Sequence, residues 1–207
     1  MDKVLILLAG LPGTGKTYLS NIIKKELGTF YMLSQDELKE YYCEMYGYNN
    51  LEEKKEIEEI TWQKYYETMD QLMQIGSNVM SDYPFSQKQK PKIEQLVERY
   101  SYNVITIRLI ADLDLLFERQ KKRDLDFERH LSHIVTSYKK GDYLADRSKA
   151  DNLLTYEEFI KRCTTRGYNT FELGKLYELD VTDYSKVNYS KLLEDIMLWN
   201  ESNSIKN

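Results

Sequence analysis

Eight consecutive residues, Gly10-Leu11-Pro12-Gly13-Thr14-Gly15-Lys16-Thr17, match the pattern G-x-x-x-x-G-K-[ST] in full. The glycines Gly10, Gly13 and Gly15, with Thr14 between them, let backbone N–H groups turn inward around phosphate oxygens. A helix opening at Lys16 adds the partial positive charge of its N-terminus. Lys16 is then expected to reach the β- and γ-phosphates of a nucleoside triphosphate. The Thr17 hydroxyl is the expected protein ligand of Mg²⁺, an ion that keeps waters and leans on substrate phosphates. The expected nucleotide is ATP: no N-K-x-D guanine-reading motif follows the fourth apolar run, and the nearest look-alike, Asp151-Asn152, lacks the pattern.

A phosphate cradle does not define a reaction, so the other charged residues matter. Asp36 lies in Ser34-Gln35-Asp36-Glu37, at the end of the second strand-like run. Open parallel sheets gather ligands there, and a carboxylate so placed could accept or orient the proton of an attacking hydroxyl. The same residues also read as a helix start, with Ser34 and Glu37 as a capping box and Asp36 complementing the dipole. Asp82 ends the third run before Tyr83-Pro84, where it would serve Mg²⁺ as a Walker B acid or simply form a turn. Arg119 and Arg123, four apart on one helix face, could grip migrating phosphate oxygens together. With Lys121 and Lys122 between them, a solvated basic face stays open as the other reading. Asp126, Arg129, His130 and His133 form a polar cluster expected on a helix. Without a third ligand at a recognised spacing it reads as a lid or surface segment in preference to a zinc site, with Arg129, and after it Arg147, as further phosphate contacts. Cys43 and Cys163 have neither metal nor disulfide spacing and read as reduced, partly buried thiols.

These residues need strands to carry them. Five β-type runs, Val4–Ala9, Phe30–Leu33, Asn78–Ser81, Val104–Ile110 and Leu176–Val181, alternate with helical stretches, which implies a parallel sheet. Lys16–Leu27 and Ser86–Tyr100 have the spacing of crossover helices. Leu51–Ile75 carries Ile57, Ile60, Tyr65, Leu72 and Ile75 as a candidate core stripe. The expected fold class is α/β: a three-layer P-loop nucleoside triphosphate hydrolase fold with a mainly parallel five-stranded sheet. One domain over 1–207 is expected, with a helical insertion at about 37–75 and a lid at about 119–150.

The 207 residues, 42% hydrophobic and 30% charged, suit such a domain. A net charge of −5 gives no general attraction to nucleic-acid backbone. The early apolar run is too short to span a bilayer, so a cytoplasmic protein without membrane partners is expected.

GLPGTGKT, then S-x-D with Lys39, then Asp82, then Arg119-x-x-x-Arg123, resembles the P-loop kinases that include polynucleotide 5′-hydroxyl kinase, zeta-toxin sugar-nucleotide kinases and chloramphenicol phosphotransferase. The resemblance covers roughly the first 125 residues. It implies that Asp36 meets the substrate hydroxyl, that Lys39 lies beside the substrate and that Arg119 and Arg123 are lid arginines. Polynucleotide kinases commonly carry arginine where Lys39 stands, and lysine lacks the bidentate fork for a phosphate. The expected activity is therefore transfer of the γ-phosphoryl group of Mg-ATP to a hydroxyl of a small molecule or nucleoside. A polynucleotide 5′-hydroxyl kinase and a non-catalytic ATP-binding regulatory module are the alternatives. A GTPase switch and a mechanical AAA+ ATPase are disfavoured, the latter because it would need a helical lid domain and a subunit-bridging arginine that a chain of this length is not expected to supply.

Overall fold

The computed structural model describes residues 3–28 and 30–204. In chain order it contains β1 (Val4–Gly10), α1 (Lys16–Leu27), β2 (Tyr31–Ser34), α2 (Gln35–Tyr46), α3 (Leu51–Gln74) and β3 (Val79–Asp82). These are followed by α4 (Lys90–Tyr100), β4 (Asn103–Ile110), α5 (Leu113–Asp124), α6 (Tyr156–Thr165), β5 (Lys175–Asp180) and α7 (Tyr189–Ser204). Among the described residues the strands form one sheet in the order β2-β3-β1-β4-β5, with every pairing parallel.

All of β1 is buried, because helices cover both faces of the sheet. Its side chains alternate between two cores. Val4, Ile6 and Leu8 pack with Leu19 and Ile23 of α1 and with Leu192 and Ile196 of α7. Leu5, Leu7 and Ala9 face Tyr65 and Met69 of α3 and Ile93 and Leu96 of α4. Burying each Leu or Ile contributes about 1.5–3 kcal/mol, so β1 is a stable axis for the loop that follows it. Because the strands run parallel, their carboxyl ends share one edge. Leu8 and Ser34 both pair with Asp82, which brings the ends of β1, β2 and β3 together.

Several expectations change in detail. The helix expected from Ser86 begins at Lys90, because the Ser86 backbone N–H and hydroxyl both donate to Gln89 Oε1, at 3.0 and 2.8 Å, and close a turn first. On α3 the buried stripe is Lys54, Ile57, Thr61, Tyr65, Met69 and Met73, while Ile60 and Ile75 are 37% and 73% exposed. The steps of three and four from Lys54 set that face, and Ile60 and Ile75 fall off it. The stretch at about 37–75 is filled by two helices, α2 and α3, separated at Gly47 and restarted by the Asn50 cap. Both thiols are free and lie deeper than expected, Cys43 at 0% and Cys163 at 3% exposure.

The largest departure follows α5. Asp126, Arg129, His130 and His133 are not on a helix but on turns, with a single 3₁₀ turn at Leu131–His133. Their own side chains favour this: Asp126 accepts from the Glu128 N–H at 3.0 Å and His130 from the Ser132 N–H at 3.2 Å. A third core fastens the segment to α2 and α3, as Leu131, Ile134 and Tyr138 pack on Cys43, Tyr48 and Ile57. Tyr48 and Tyr138 also exchange two backbone hydrogen bonds of 2.8 Å. Beyond it, α6 opens with a complete capping box between Thr155 and Glu158.

Candidate active site

A cleft of about 730 Å³ opens at the carboxyl edge of the sheet, and Gly13, Lys16, Asp36, Asp82, Arg119 and Arg123 all line it. The phosphate loop leaves β1 at Gly10, whose φ of +122° favours glycine. A Cβ there would fall 2.3 Å from the Leu109 carbonyl oxygen, so close pairing with β4 demands glycine as well. The buried Thr14 pins the turn, its Oγ1 donating to the Leu11 carbonyl at 2.8 Å. Gly15, in the left-handed region, delivers the chain into α1.

Lys16 folds back over the loop and donates to the Gly10 and Leu11 carbonyls at 3.1 and 3.0 Å. Burial lowers its pKa to about 8, against the attraction of Asp82; Arg123 lowers it further. The Thr17 hydroxyl donates to Asp82 Oδ2 at 3.4 Å, while Asp82 Oδ1 is buried without a hydrogen-bond partner among the described residues. Burial raises the pKa of this carboxyl, and Lys16 opposes that shift. A hydroxyl beside a carboxylate with an unused buried oxygen, next to a phosphate loop, fits the hard-oxygen preference of Mg²⁺.

Asp36 enters the cleft from the first turn of α2. The capping reading is half realised: the Glu37 N–H approaches Ser34 Oγ at 3.5 Å. Lys39 Nζ lies 3.7 Å from Asp36 Oδ1 and Arg129 Nη1 lies 3.9 Å from Asp36 Oδ2. Burial works against the charged form, but the cations Lys39, Arg129 and Arg123 outweigh it and hold the carboxyl well below the usual carboxylate range. Arg129 is a hub, also reaching Glu40 at 3.9 Å and Asp124 at 3.7 Å. His133 Nε2 sits 2.6 Å from Glu40 Oε1. Burial pushes its pKa down to about 4, so a neutral ring donates to the ionised Glu40.

Arg119 and Arg123 share the cleft but not a partner set. Arg123 donates to Gln120 Oε1 at 2.9 Å. Arg119 donates to the Val181 and Thr182 carbonyls, both at 3.0 Å, and stacks 4.1 Å from the Tyr184 ring centroid. Tyr184 in turn donates to the Gly13 carbonyl at 3.3 Å, so Arg119 fastens the loop after β5 to the phosphate loop. Arg147 is buried and donates to the Arg129 and Phe127 carbonyls, as a strut for the turns after α5 that stays outside the cleft lining. His130 is occupied by Glu44 and Ser132.

Sequence reading missed Lys54, Tyr83, Arg162, Arg166 and Tyr184, which all line the same cleft. Two signals were available. Lys54 is a charged residue in register with the buried stripe of α3, and Arg162 and Arg166 repeat at the end of α6 the four-residue spacing of Arg119 and Arg123. Tyr83 and Tyr184 carried no such mark.

Residues 5–137 match a family model described as an AAA domain (AAA_33). No curated protein matches the chain. A protein of Chloroflexus aurantiacus, provisionally described as a kinase, superposes with a TM-score of 0.72 at 22% identity, over 98% of each chain. A sugar kinase of Janibacter superposes with a TM-score of 0.53 at 13% identity, covering 97% of this chain and 95% of that one. A gluconokinase of Sinorhizobium meliloti gives 0.51 at 12%, covering 95% and 97%. At these identities the likeness is one of fold. Among the described residues no helix is long and apolar enough to cross a membrane. With well over half its length matched and its phosphate loop intact, the chain belongs to this AAA domain family and has the fold of the P-loop kinases.

Proposed function

We propose that the protein is an ATP-dependent phosphotransferase that moves the γ-phosphoryl group to a hydroxyl of a small molecule. One observation carries the reading: Asp36 is held ionised by Lys39 and Arg129 in the same cleft as Lys16 and the Thr17–Asp82 pair. A module built only to hold a nucleotide has no use for a charged carboxylate there.

Lys16 leaves the Gly10 and Leu11 carbonyls for the β- and γ-phosphates. Mg²⁺ bound through Thr17 and Asp82 would supply charge neutralisation at the phosphate oxygens. Asp36 accepts a hydrogen bond from the acceptor hydroxyl and aims its oxygen at the γ-phosphorus. As the new O–P bond forms and the β–γ bridging bond breaks, the hydroxyl proton passes to Asp36. Its depressed pKa makes it a weak base, which suits a loose transition state in which that proton leaves late. Arg123, with a single side-chain partner in Gln120, swings to the migrating phosphoryl group. The reaction belongs where ATP is abundant, in the cytoplasm.

The test is transfer of label from [γ-³²P]ATP to a panel of nucleosides, sugars, aminoglycosides, chloramphenicol and 5′-hydroxyl oligonucleotides. Labelling of a small alcohol supports the proposal. Labelling confined to oligonucleotides would replace it with an end kinase, and slow hydrolysis with no acceptor labelled would leave a regulatory ATP-binding module.

A further inference from the structure

The cleft holds more positive charge than a triphosphate needs. Lysines and arginines outnumber carboxylates in its lining by nine to four, although the whole chain carries a net charge of −5. Part of that excess serves the nucleotide and Asp36: Lys16, Arg119 and Arg123 stand at the phosphate loop, and Lys39 and Arg129 pair with Asp36. Lys54, Lys55, Arg162 and Arg166 are left over.

These four come from the start of α3 and the end of α6, and Glu58 is the carboxylate that lines the cleft with them. Among the described residues none of the four has an acid within ion-pairing distance. Lys54 is the most telling, because it is 8% exposed. Its ammonium group donates to the Val135 carbonyl, at 3.4 Å, and lies 5.4 Å from the centre of the Tyr48 ring. A buried ammonium with no acid in contact is costly, and here burial, with Lys39 adding to it and the more distant Glu58 opposing, lowers its pKa to about 8. Arg162 and Arg166, one turn apart, carry guanidinium forks of the kind that bind phosphate bidentately, and Arg166 is steadied by donating from Nη1 to the Tyr168 hydroxyl at 3.2 Å. The patch and the reacting carboxylate share one space, since Asp36 and the four cations all line the same cleft.

We propose that Lys54, Lys55, Arg162 and Arg166 form a second anion subsite, and that the acceptor is a small alcohol already carrying a phosphate monoester. The proposal rests on the kinase reading above. Four cations facing one carboxylate suit a dianionic phosphate better than a neutral sugar. The subsite anchors the acceptor by its existing phosphate and leaves its hydroxyl to Asp36.

The experiment is calorimetric titration of the protein saturated with a non-hydrolysable ATP analogue. The ligands are ribose against ribose 5-phosphate, adenosine against its 3′- and 5′-monophosphates, and a 5′-hydroxyl oligonucleotide. At least one phosphomonoester is expected to bind about tenfold or more tighter than its unphosphorylated partner. Arg162→Ala combined with Arg166→Ala, both at exposed positions, should erase that difference and leave affinity for the ATP analogue unchanged. Equal affinities within every pair, indifference to the double substitution, or tight binding confined to the oligonucleotide would each overturn the proposal. Label transfer to a neutral alcohol at the same rate in the double variant would sink the subsite and keep the kinase. Phosphomonoester binding that depends on the arginines, with no acceptor labelled, would keep the subsite and sink the kinase.

Discussion

The cleft has two walls that were built differently. The wall at the end of β1 is contiguous in sequence and makes its own contacts: Thr14 and Lys16 bond carbonyls within the loop, and Thr17 reaches the neighbouring β3. The wall carrying Asp36 is assembled from α2, the turns after α5 and α6, and charges from distant segments settle one another there. A local motif is self-sufficient and tolerates variety around it. An assembled wall needs a core of its own, which Cys43, Tyr48 and Ile57 provide with Leu131, Ile134 and Tyr138.

The comparison predicts that the two walls fail differently. Asp36→Asn should leave ATP affinity nearly intact while slowing transfer by about 10²–10⁴, the range for a group that handles a proton. Paired titration and single-turnover measurements decide it; equal loss of binding would place Asp36 with the nucleotide. Lys16→Ala should slow turnover by about 10²–10³ and weaken ATP binding as well, because it acts on the phosphates in both ground and transition states. Unchanged ATP titration in that variant would remove the contrast.

A smaller effect separates the walls by pH. His133 has its pKa lowered from 6.5 to about 4, so the unfolded chain binds the proton more readily than the folded one. Stability should therefore fall as pH drops from 6.5 toward 4, by on the order of 3 kcal/mol across the window. Glu40, whose pKa is also lowered, acts in the same direction as its own carboxyl protonates. His133→Gln keeps a donor for Glu40 and should flatten the slope in denaturant titrations at a series of pH values. An unaltered slope would mean that another group senses the acid.

The two walls were also unequally legible. The first could be read because its residues are neighbours in sequence and its chemistry is written in glycines and one lysine. Strand alternation was equally plain, since β1 is buried on both sides and reads as an unbroken apolar run. Asp36 is visible in sequence only as an ambiguity, and the structure places it in a capped first turn with Lys39 and Arg129 beside it. Residue spacing suggests a helix after α5, but Asp126 and His130 spend their side chains on nearby N–H groups, a competition that spacing does not reveal. Lys54 is hidden in sequence because an apolar stripe on α3 draws the eye to residues that include Ile60 and Ile75, and both of those face outward.

Arg119 stands between the walls and gives the finest test of the division. Its four-residue spacing from Arg123 suggests a pair acting together, but two of its five donors hold the Val181 and Thr182 carbonyls and its guanidinium lies on Tyr184. Losing those bonds and the stacking from a partly exposed site should cost about 1–2 kcal/mol of stability. Arg123→Ala, which frees only a contact to Gln120, should leave stability within about 0.5 kcal/mol and slow transfer instead. Thermal unfolding and transfer rates measured side by side on Arg119→Ala and Arg123→Ala separate the roles. If Arg119→Ala unfolds like the parent protein and is the slower enzyme of the two, Arg119 releases its carbonyls during the reaction and belongs with Lys16 on the phosphate wall.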